Sequence, residues 1–295
     1  MAVEPRAAAR DYFAPASAQQ AVTLLAEHPG AHLLAGGTDL LNDLRHGVLA
    51  PGHVVDLAGI AELQGFSDDA EGIRIGATTT IRELLAAPLA GRLRALREAA
   101  DLLGGRQIQA AATVGGNLCQ GSPAAEVATG LLVHDARLEV AGPDGRRTIP
   151  VADLFAGPRR TTLAAGEILV AIRVPAGQAG WSSAYRRIDL RRSVDIAIVS
   201  ASVALDVHDG VVRGARVAIG AARPTPFLAT DAAGCLVGLE PGELVEAATR
   251  AGRAAAAASA PITDVRASAD YRTAMVEVVT ARAVRAAAEP NGRQS

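Results

Sequence analysis

AHLLAGGTDLL, residues 31–41, is the stretch that decides the fold. A short apolar, β-like run ends at Gly36 and Gly37, a threonine follows, and an apolar helical pattern begins. A glycine pair lets the backbone take φ > 0 and come close to a ligand with no Cβ in the way. The amides of such a turn can point at an anion, best where the turn opens a helix. Working outward, SAQQAVTLLAEHP reads as a helix with Ser17 as its N-cap. On the other side, Thr38 is expected to cap the helix DLLNDLRHG, which Gly47 stops, and HVVDL reads as a strand. Residues 1–56 are therefore β/α units.

A second glycine pair lies in TVGGN, Thr113 to Asn117, and SPAAE follows it closely. One such pair beside a strand is most often only a turn. Two in one chain, each with a threonine beside it, point to one ligand with two adjacent phosphates, held from both sides. Neither is a P-loop, which needs GKS or GKT, and neither is GxGxxG. In SPAAE, Ser122 is a candidate helix cap and Glu126 opens AEVATGLL. A carboxylate is a poor neighbour for phosphate and a good one for sugar hydroxyls, because it accepts two hydrogen bonds. A ribose or adenosine contact is the reading for Glu126. SSAYRRIDLRRSVDIAIVS packs four arginines between Tyr185 and Asp195. It is either a solvated charge run or a loop over an electron-rich cofactor with Arg186 at its edge.

Between these motifs, GIRIGATTT reads as a strand, TIRELLAAP as a helix start, and GRLRALREAADLLGG as an amphipathic helix with Leu93, Leu96, Ala100 and Leu103 on one face. VHDARLEVAGPDGRRTIP reads as two strands around a Pro-Asp-Gly turn, and EILVAIRVP as another strand. Pro175 to Trp181 is Gly- and Pro-rich and reads as a boundary. Beyond it, IAIVSASVALDVHDGVVRGARVAIGAA is a hairpin around His-Asp-Gly. GELVEAATRAGRAAAAAS and YRTAMVEVVTARAVRAAA are helices.

Composition excludes several classes. The chain has 295 residues, enough for roughly two domains. A net charge of -2 leaves no footprint for nucleic acid. All 29 basic residues are arginine, so neither a P-loop lysine nor a Schiff-base lysine exists. Cys119 and Cys235 stand far apart, which is no disulfide, metal or iron–sulfur spacing, and the six histidines are scattered. Cys119 reads as a small buried thiol. MAVEPRAAARDYF lacks the apolar core of a signal peptide, and no apolar run of about 18 residues occurs. A cytoplasmic setting is expected.

In order and spacing, LLAGGTDLL, QIQAAATVGGNLCQGSPAAE, GEILVAIRVP and SAYRRIDLRRSVDIAIVS resemble the FAD-binding medium subunit of molybdenum hydroxylases, the xanthine dehydrogenase and carbon monoxide dehydrogenase flavoprotein family. The resemblance runs from about Asp11 to about Ala288. It implies an α+β fold: a two-subdomain FAD-binding domain of the vanillyl-alcohol-oxidase/PCMH type over residues 1–177 (subdomains about 1–56 and 57–177), a smaller C-terminal α+β domain over 178–288, and a tail at 289–295. It implies that Leu33, Ala35, Gly36, Gly37, Thr38, Asp39 and Leu40 hold the FAD pyrophosphate, and that Thr113, Gly115, Gly116 and Asn117 form a second wall. Glu126, where the family usually has aspartate, would face the adenosine ribose, and Leu169 the adenine. Arg186, where some members have lysine, and Ile196 would lie near the flavin ring, with Thr78 and Thr79 as weaker candidates there. QIQA stands where the family often has QIRN, which removes a charge near the site. The family's partners would be an iron–sulfur small subunit with [2Fe–2S] clusters and a molybdopterin large subunit, in a dimer of heterotrimers with an external electron acceptor. No catalytic acid or base and no metal ligand is assigned. Two other readings are an autonomous flavin oxidase, which would need a substrate pocket of its own, and a non-redox assembly protein that has lost the flavin.

Overall fold

The computed structural model describes residues 11–50, 52–88, 92–191 and 194–289. The N-terminal ten residues, Gly91 of the amphipathic helix, Arg192 of the arginine cluster and tail residues 290–295 lie outside them.

β1 (Tyr12–Phe13), α1 (Ala18–Glu27), β2 (His32–Leu34), α2 (Leu40–Arg45) and β3 (Val54–Asp56) form the first unit. β3 lies between β1 and β2 and runs parallel to both. Parallel neighbours need crossover connections, and the two helices are those connections. Ser17 caps α1, its Oγ accepting the Gln20 N–H at 3.2 Å. The chain leaves β2 at its carboxyl end, so Ala35–Asp39 emerges at the rim where open parallel sheets bind ligands.

The second unit contains β4 (Phe66–Asp69), β5 (Gly72–Gly76), α3 (Ile81–Ala86), α4 (Arg94–Asp101), α5 (Arg106–Gln109), α6 (Val114–Cys119), α7 (Glu126–Val133), β6 (Arg137–Gly142), β7 (Gly145–Pro150), β8 (Phe155–Gly157), β9 (Arg160–Thr161) and β10 (Ile168–Pro175). Its antiparallel sheet has the order β4-β5-β10-β6-β7, and β8–β9 is a separate hairpin. β10 is central, and Ile168 to Ile172 are buried, as a continuous apolar run demands. A bulge between Leu169 and Ala171 shifts its side-chain parity. Ile168 and Val170 therefore pack with α1, whereas Leu169, Ile172 and Val174 join the other core.

α8 (Ala176–Ala179), β11 (Ser182–Ile188), β12 (Val199–His208), β13 (Val211–Gly220), β14 (Phe227–Leu228), α9 (Thr230–Gly234), α10 (Leu244–Ala257) and α11 (Ala269–Ala288) complete the chain. The antiparallel sheet runs β11-β12-β13-β14. Asp209 and Gly210, between β12 and β13, both have positive φ (51° and 72°), as a two-residue type I′ turn requires. β12 is covered on both faces. Ala201, Val203 and Leu205 pack with α10 and α11, where small alanines let helices sit close. Ala204 faces the other core, and Ser202 donates to Thr129 of α7 at 2.9 Å. α7, with Glu126 at its start, is thus clamped between α4 and the C-terminal sheet. Among the described residues no helix is long and apolar enough to cross a membrane.

Candidate functional site

The two glycine motifs meet at one cavity of about 710 Å3. Leu33, Ala35, Gly36, Gly37, Thr38, Asp39, Leu40, Thr78, Thr113, Gly115, Gly116, Asn117, Glu126, Leu169 and Ile196 all line it. Arg186 does not. It projects from β11 to Glu98 on α4, at 2.9 Å, and to its neighbour's carbonyl at Tyr185, at 2.6 Å. The arginine-rich stretch begins as a strand rather than a loop. Alternation puts Arg187, not Arg186, on the face shared with Tyr185. The Arg187 side chain is almost fully buried, bonding Asp189 at 2.8 Å and the Leu102 carbonyl at 2.9 Å, and it stands 3.5 Å from Glu126. Thr79 also lies off the cavity, its hydroxyl donated to the Gly65 carbonyl at 3.1 Å, while Thr78 lines it and donates to Leu63 O at 2.8 Å.

The glycines serve two different needs. Only Gly37 uses positive φ (70°). A Cβ on Gly36 would stand 1.8 Å from the Ala111 carbonyl oxygen, and one on Gly115 2.6 Å from that of Ala77. These two positions are glycine because backbone passes over backbone. The second pair is no turn: it occupies the first turn of α6, capped by Thr113, whose Oγ1 accepts the Gly116 N–H at 3.0 Å. Two further caps differ from expectation. The cap position of α2 is Asp39, with no side-chain bond, so Thr38 does not cap it. Ser122 takes the Ala124 N–H at 3.2 Å, and Ala125 precedes α7.

Hydrogen-bond accounting separates the two walls. Gly115, Gly116 and Asn117 spend their amides internally, on Ala77 O, Thr113 Oγ1 and Thr113 O. Those of Ala35, Gly36, Gly37, Thr38, Asp39 and Leu40 find no protein acceptor among the described residues. Six consecutive unpaired donors at a cavity rim are what an anion needs, and they would otherwise carry a cost if desolvated. In the second motif, the buried Asn117 Oδ1 also lacks a partner.

The charges are unequal. Asp39, Asp43, Glu126, Glu167 and Asp195 line the cavity, and Arg159 is the single basic side chain among the described lining residues. Burial pushes the Glu126 carboxyl up to about 7; Asp39 adds to this, while Arg187 and Asn117 pull it back. Burial, reinforced by Asp43, also raises Asp39. The Cys119 thiol is pushed up to about 12 by burial, so it stays protonated and is no nucleophile. Ile108, Val194 and Ile196 present exposed apolar side chains along one side. Among the described residues no group of His, Cys, Asp and Glu could hold a metal ion. Arg187, Asp43 and Arg159 were not marked by the sequence reading. A Gly-Pro dipeptide before Arg159 signalled a turn but not where the turn would dock.

Comparison with known proteins agrees along the chain. Residues 6–177 match the family described as FAD binding domain in molybdopterin dehydrogenase, and residues 183–287 match the CO dehydrogenase flavoprotein C-terminal domain. The carbon monoxide dehydrogenase medium chain of Hydrogenophaga pseudoflava is 34% identical over 279 residues, covering 94% of this chain and 96% of that one. The xanthine dehydrogenase FAD-binding subunit of Escherichia coli O157:H7 is 37% identical over 219 residues, covering 73% and 75%. Among solved structures, the Hydrogenophaga pseudoflava carbon monoxide dehydrogenase lacking the Mo-pyranopterin moiety superimposes with a TM-score of 0.90 at 34% identity, covering 97% of this chain and 98% of that one. Quinoline 2-oxidoreductase from Pseudomonas putida 86 does so with 0.86 at 28%, covering 96% and 97%.

Proposed function

The chain belongs to the family of FAD-binding medium subunits of molybdenum hydroxylases, and from that premise we propose that its cavity holds FAD noncovalently and passes electrons from iron–sulfur clusters to an external acceptor. The observation that carries the reading is the row of unpaired amides from Ala35 to Leu40 at the rim of the cavity that Asn117 and Glu126 also line. FAD supplies the redox chemistry when bound, and the protein supplies position and surroundings. The Ala35–Leu40 amides would receive the pyrophosphate. Thr113 and Asn117 would form the facing wall through their side chains, because the amides of that wall are already spent. Glu126, fixed by Arg187, would accept from ribose hydroxyls. Leu169 would lie against the adenine, and Ile108, Val194 and Ile196 would cover an apolar ring system.

Partners follow from the family and from the cysteine count. A [2Fe–2S] cluster takes four cysteines or their equivalents, and this chain has only Cys119 and Cys235. The clusters therefore sit on an iron–sulfur small subunit, and substrate hydroxylation on a molybdopterin large subunit. The proposed assembly is a dimer of heterotrimers delivering electrons to NAD+, a quinone or oxygen.

The test is the visible absorption spectrum of the purified chain, followed by chromatography of the cofactor released by heat. The two visible bands of an oxidised flavin, with FAD in the supernatant, are expected. A colourless chain that also takes up no added FAD sinks the proposal.

A further inference from the structure

The cavity poses an electrostatic problem that the amide row alone does not solve. A pyrophosphate is a dianion, and five carboxylates line the space it would enter. Three of these are already engaged. Arg147 grips Glu167 with two bonds, at 2.6 and 2.7 Å, Arg187 stands beside Glu126, and Asp195 accepts the Leu190, Arg191 and Ile196 amides. Asp39 lies within the amide row itself, and Asp43 lies one turn further along α2. Neither has a buried cation committed to it alone. The chain has no lysine, so a counter-charge from a permanently cationic side chain must be a guanidinium.

Arg159 is built into that position. It sits in the turn between β8 and β9 at positive φ (57°), and its amide donates to the Gly121 carbonyl at 2.9 Å. The turn is pressed onto the end of the second motif: a Cβ on Gly121 would stand 2.9 Å from the Arg160 nitrogen and 3.2 Å from the Arg159 Cα. From there the Arg159 side chain crosses to α2, where Nη2 bonds Asp43 Oδ2. Nε and Nη1 have no partner among the described residues. The guanidinium therefore spans from the second glycine motif to the first, one fork tied down and the rest unspent.

We propose that Arg159 is the counter-charge to the cofactor's pyrophosphate: Asp43 positions its guanidinium across the cavity, and its remaining N–H groups bond the anion seated on the Ala35–Leu40 amides. A planar fork suits phosphate oxygens, and charge-assisted bonds of this type are about twice as strong as neutral ones. The role rests on the FAD reading above. It adds a residue from neither glycine motif, and it makes FAD affinity depend on salt, because Arg159 is half exposed at the rim.

The test is titration of the flavin-stripped chain with FAD, read by quenching of flavin fluorescence at low and high salt, for wild type, Arg159→Gln and Asp43→Asn. Arg159→Gln should weaken FAD binding by about tenfold, the scale of one charge-assisted hydrogen bond at a partly solvated rim, and should lose most of the salt dependence. Asp43→Asn removes the carboxylate charge beside the anion but keeps a side-chain oxygen to accept from Nη2, so the guanidinium stays positioned and affinity should stay within about twofold of wild type or tighten. Far-UV circular dichroism of both variants should match wild type. The assignment is overturned if Arg159→Gln binds FAD as wild type does, or if Asp43→Asn loses as much affinity as Arg159→Gln, since both then report only a structural strap. Wild type that binds no FAD at all defeats the FAD reading itself, which is a different outcome from either.

Discussion

Gly36→Ala tests whether the two glycine motifs are held together by backbone contact. The added Cβ would lie 1.8 Å from the Ala111 oxygen, 2.6 Å from its carbonyl carbon and 3.0 Å from the Ala112 Cα. All three are backbone atoms, so no rotamer change relieves the clash. Reaching the 3.4 Å of ordinary contact requires the segments to part by about 1.6 Å. Overpacking typically costs 1–3 kcal/mol, and a backbone-against-backbone clash should take the top of that range, about 3 kcal/mol. For a chain of this size that lowers the thermal midpoint by about 6–12 °C. The parting would also move the Ala35–Leu40 amides away from Asn117, so FAD should be lost at temperatures where the fold survives. The assay is a thermal melt by circular dichroism together with flavin content per chain. Gly59→Ala is the control, because a Cβ there meets nothing within 4 Å. A Gly36→Ala protein that melts within about 2 °C of the control and keeps its flavin would refute the close-approach argument.

Three further outcomes are expected. His134 is fully buried between the Gln178 carbonyl (3.1 Å) and Ser183 Oγ (3.2 Å), and burial lowers its pKa to about 4. The fold thus holds it neutral while the unfolded chain protonates at its ordinary pKa, so stability should be full above about pH 6.5 and fall by up to about 3 kcal/mol as pH drops toward 4; His134→Gln should flatten that limb in denaturant titrations at several pH values, and an unchanged slope would count against it. Glu126 has the opposite sign: its carboxyl is raised to about 7 in the fold, so wild type should lose stability relative to Glu126→Gln as pH rises from about 4.5 to about 7. The same melts measure this difference, and a gap between the two proteins that stays constant with pH would contradict it. Arg272 is buried in α11, bonding Ile198 O and Ala221 O and, at 2.7 Å, Asp264, whose carboxyl is held well below its usual range by Arg266 and Arg272 despite some burial. Arg272→Met takes the donor from the Ile198 and Ala221 carbonyls while Asp264 keeps Arg266, and should cost about 2–4 kcal/mol in urea unfolding, whereas a loss under about 1 kcal/mol would show the network to be dispensable.

Local patterns were legible without the fold. Ser17 as a cap, the Pro-Asp-Gly and His-Asp-Gly hairpins, the apolar run of EILVAIRVP and the two long C-terminal helices all follow from spacing, turn chemistry and propensity, which act over a few residues. The failures are equally specific. Ser122 and Thr38 looked like caps because the residue type was right, but cap geometry depends on φ/ψ that neighbouring elements impose. The bulge at Leu169–Ala171 left no mark on an apolar run, because every residue in it is buried whichever way it faces.

The sequence by itself determined where the glycine motifs lie, that the chain resembles a flavoprotein family, and that it holds no lysine and only two cysteines, since residue identity and spacing settle those points. Tertiary structure decided what each motif does. Gly36 and Gly115 are glycine because another strand of backbone passes within contact distance, and such a neighbour lies dozens of residues away in sequence. The second pair belongs to a helix whose amides are spent, which only hydrogen-bond accounting reveals. Arg187 rather than Arg186 turns to Glu126 because strand register fixes which of two adjacent arginines faces inward. Arg159 reaches the cavity only because a distant hairpin docks against Gly121.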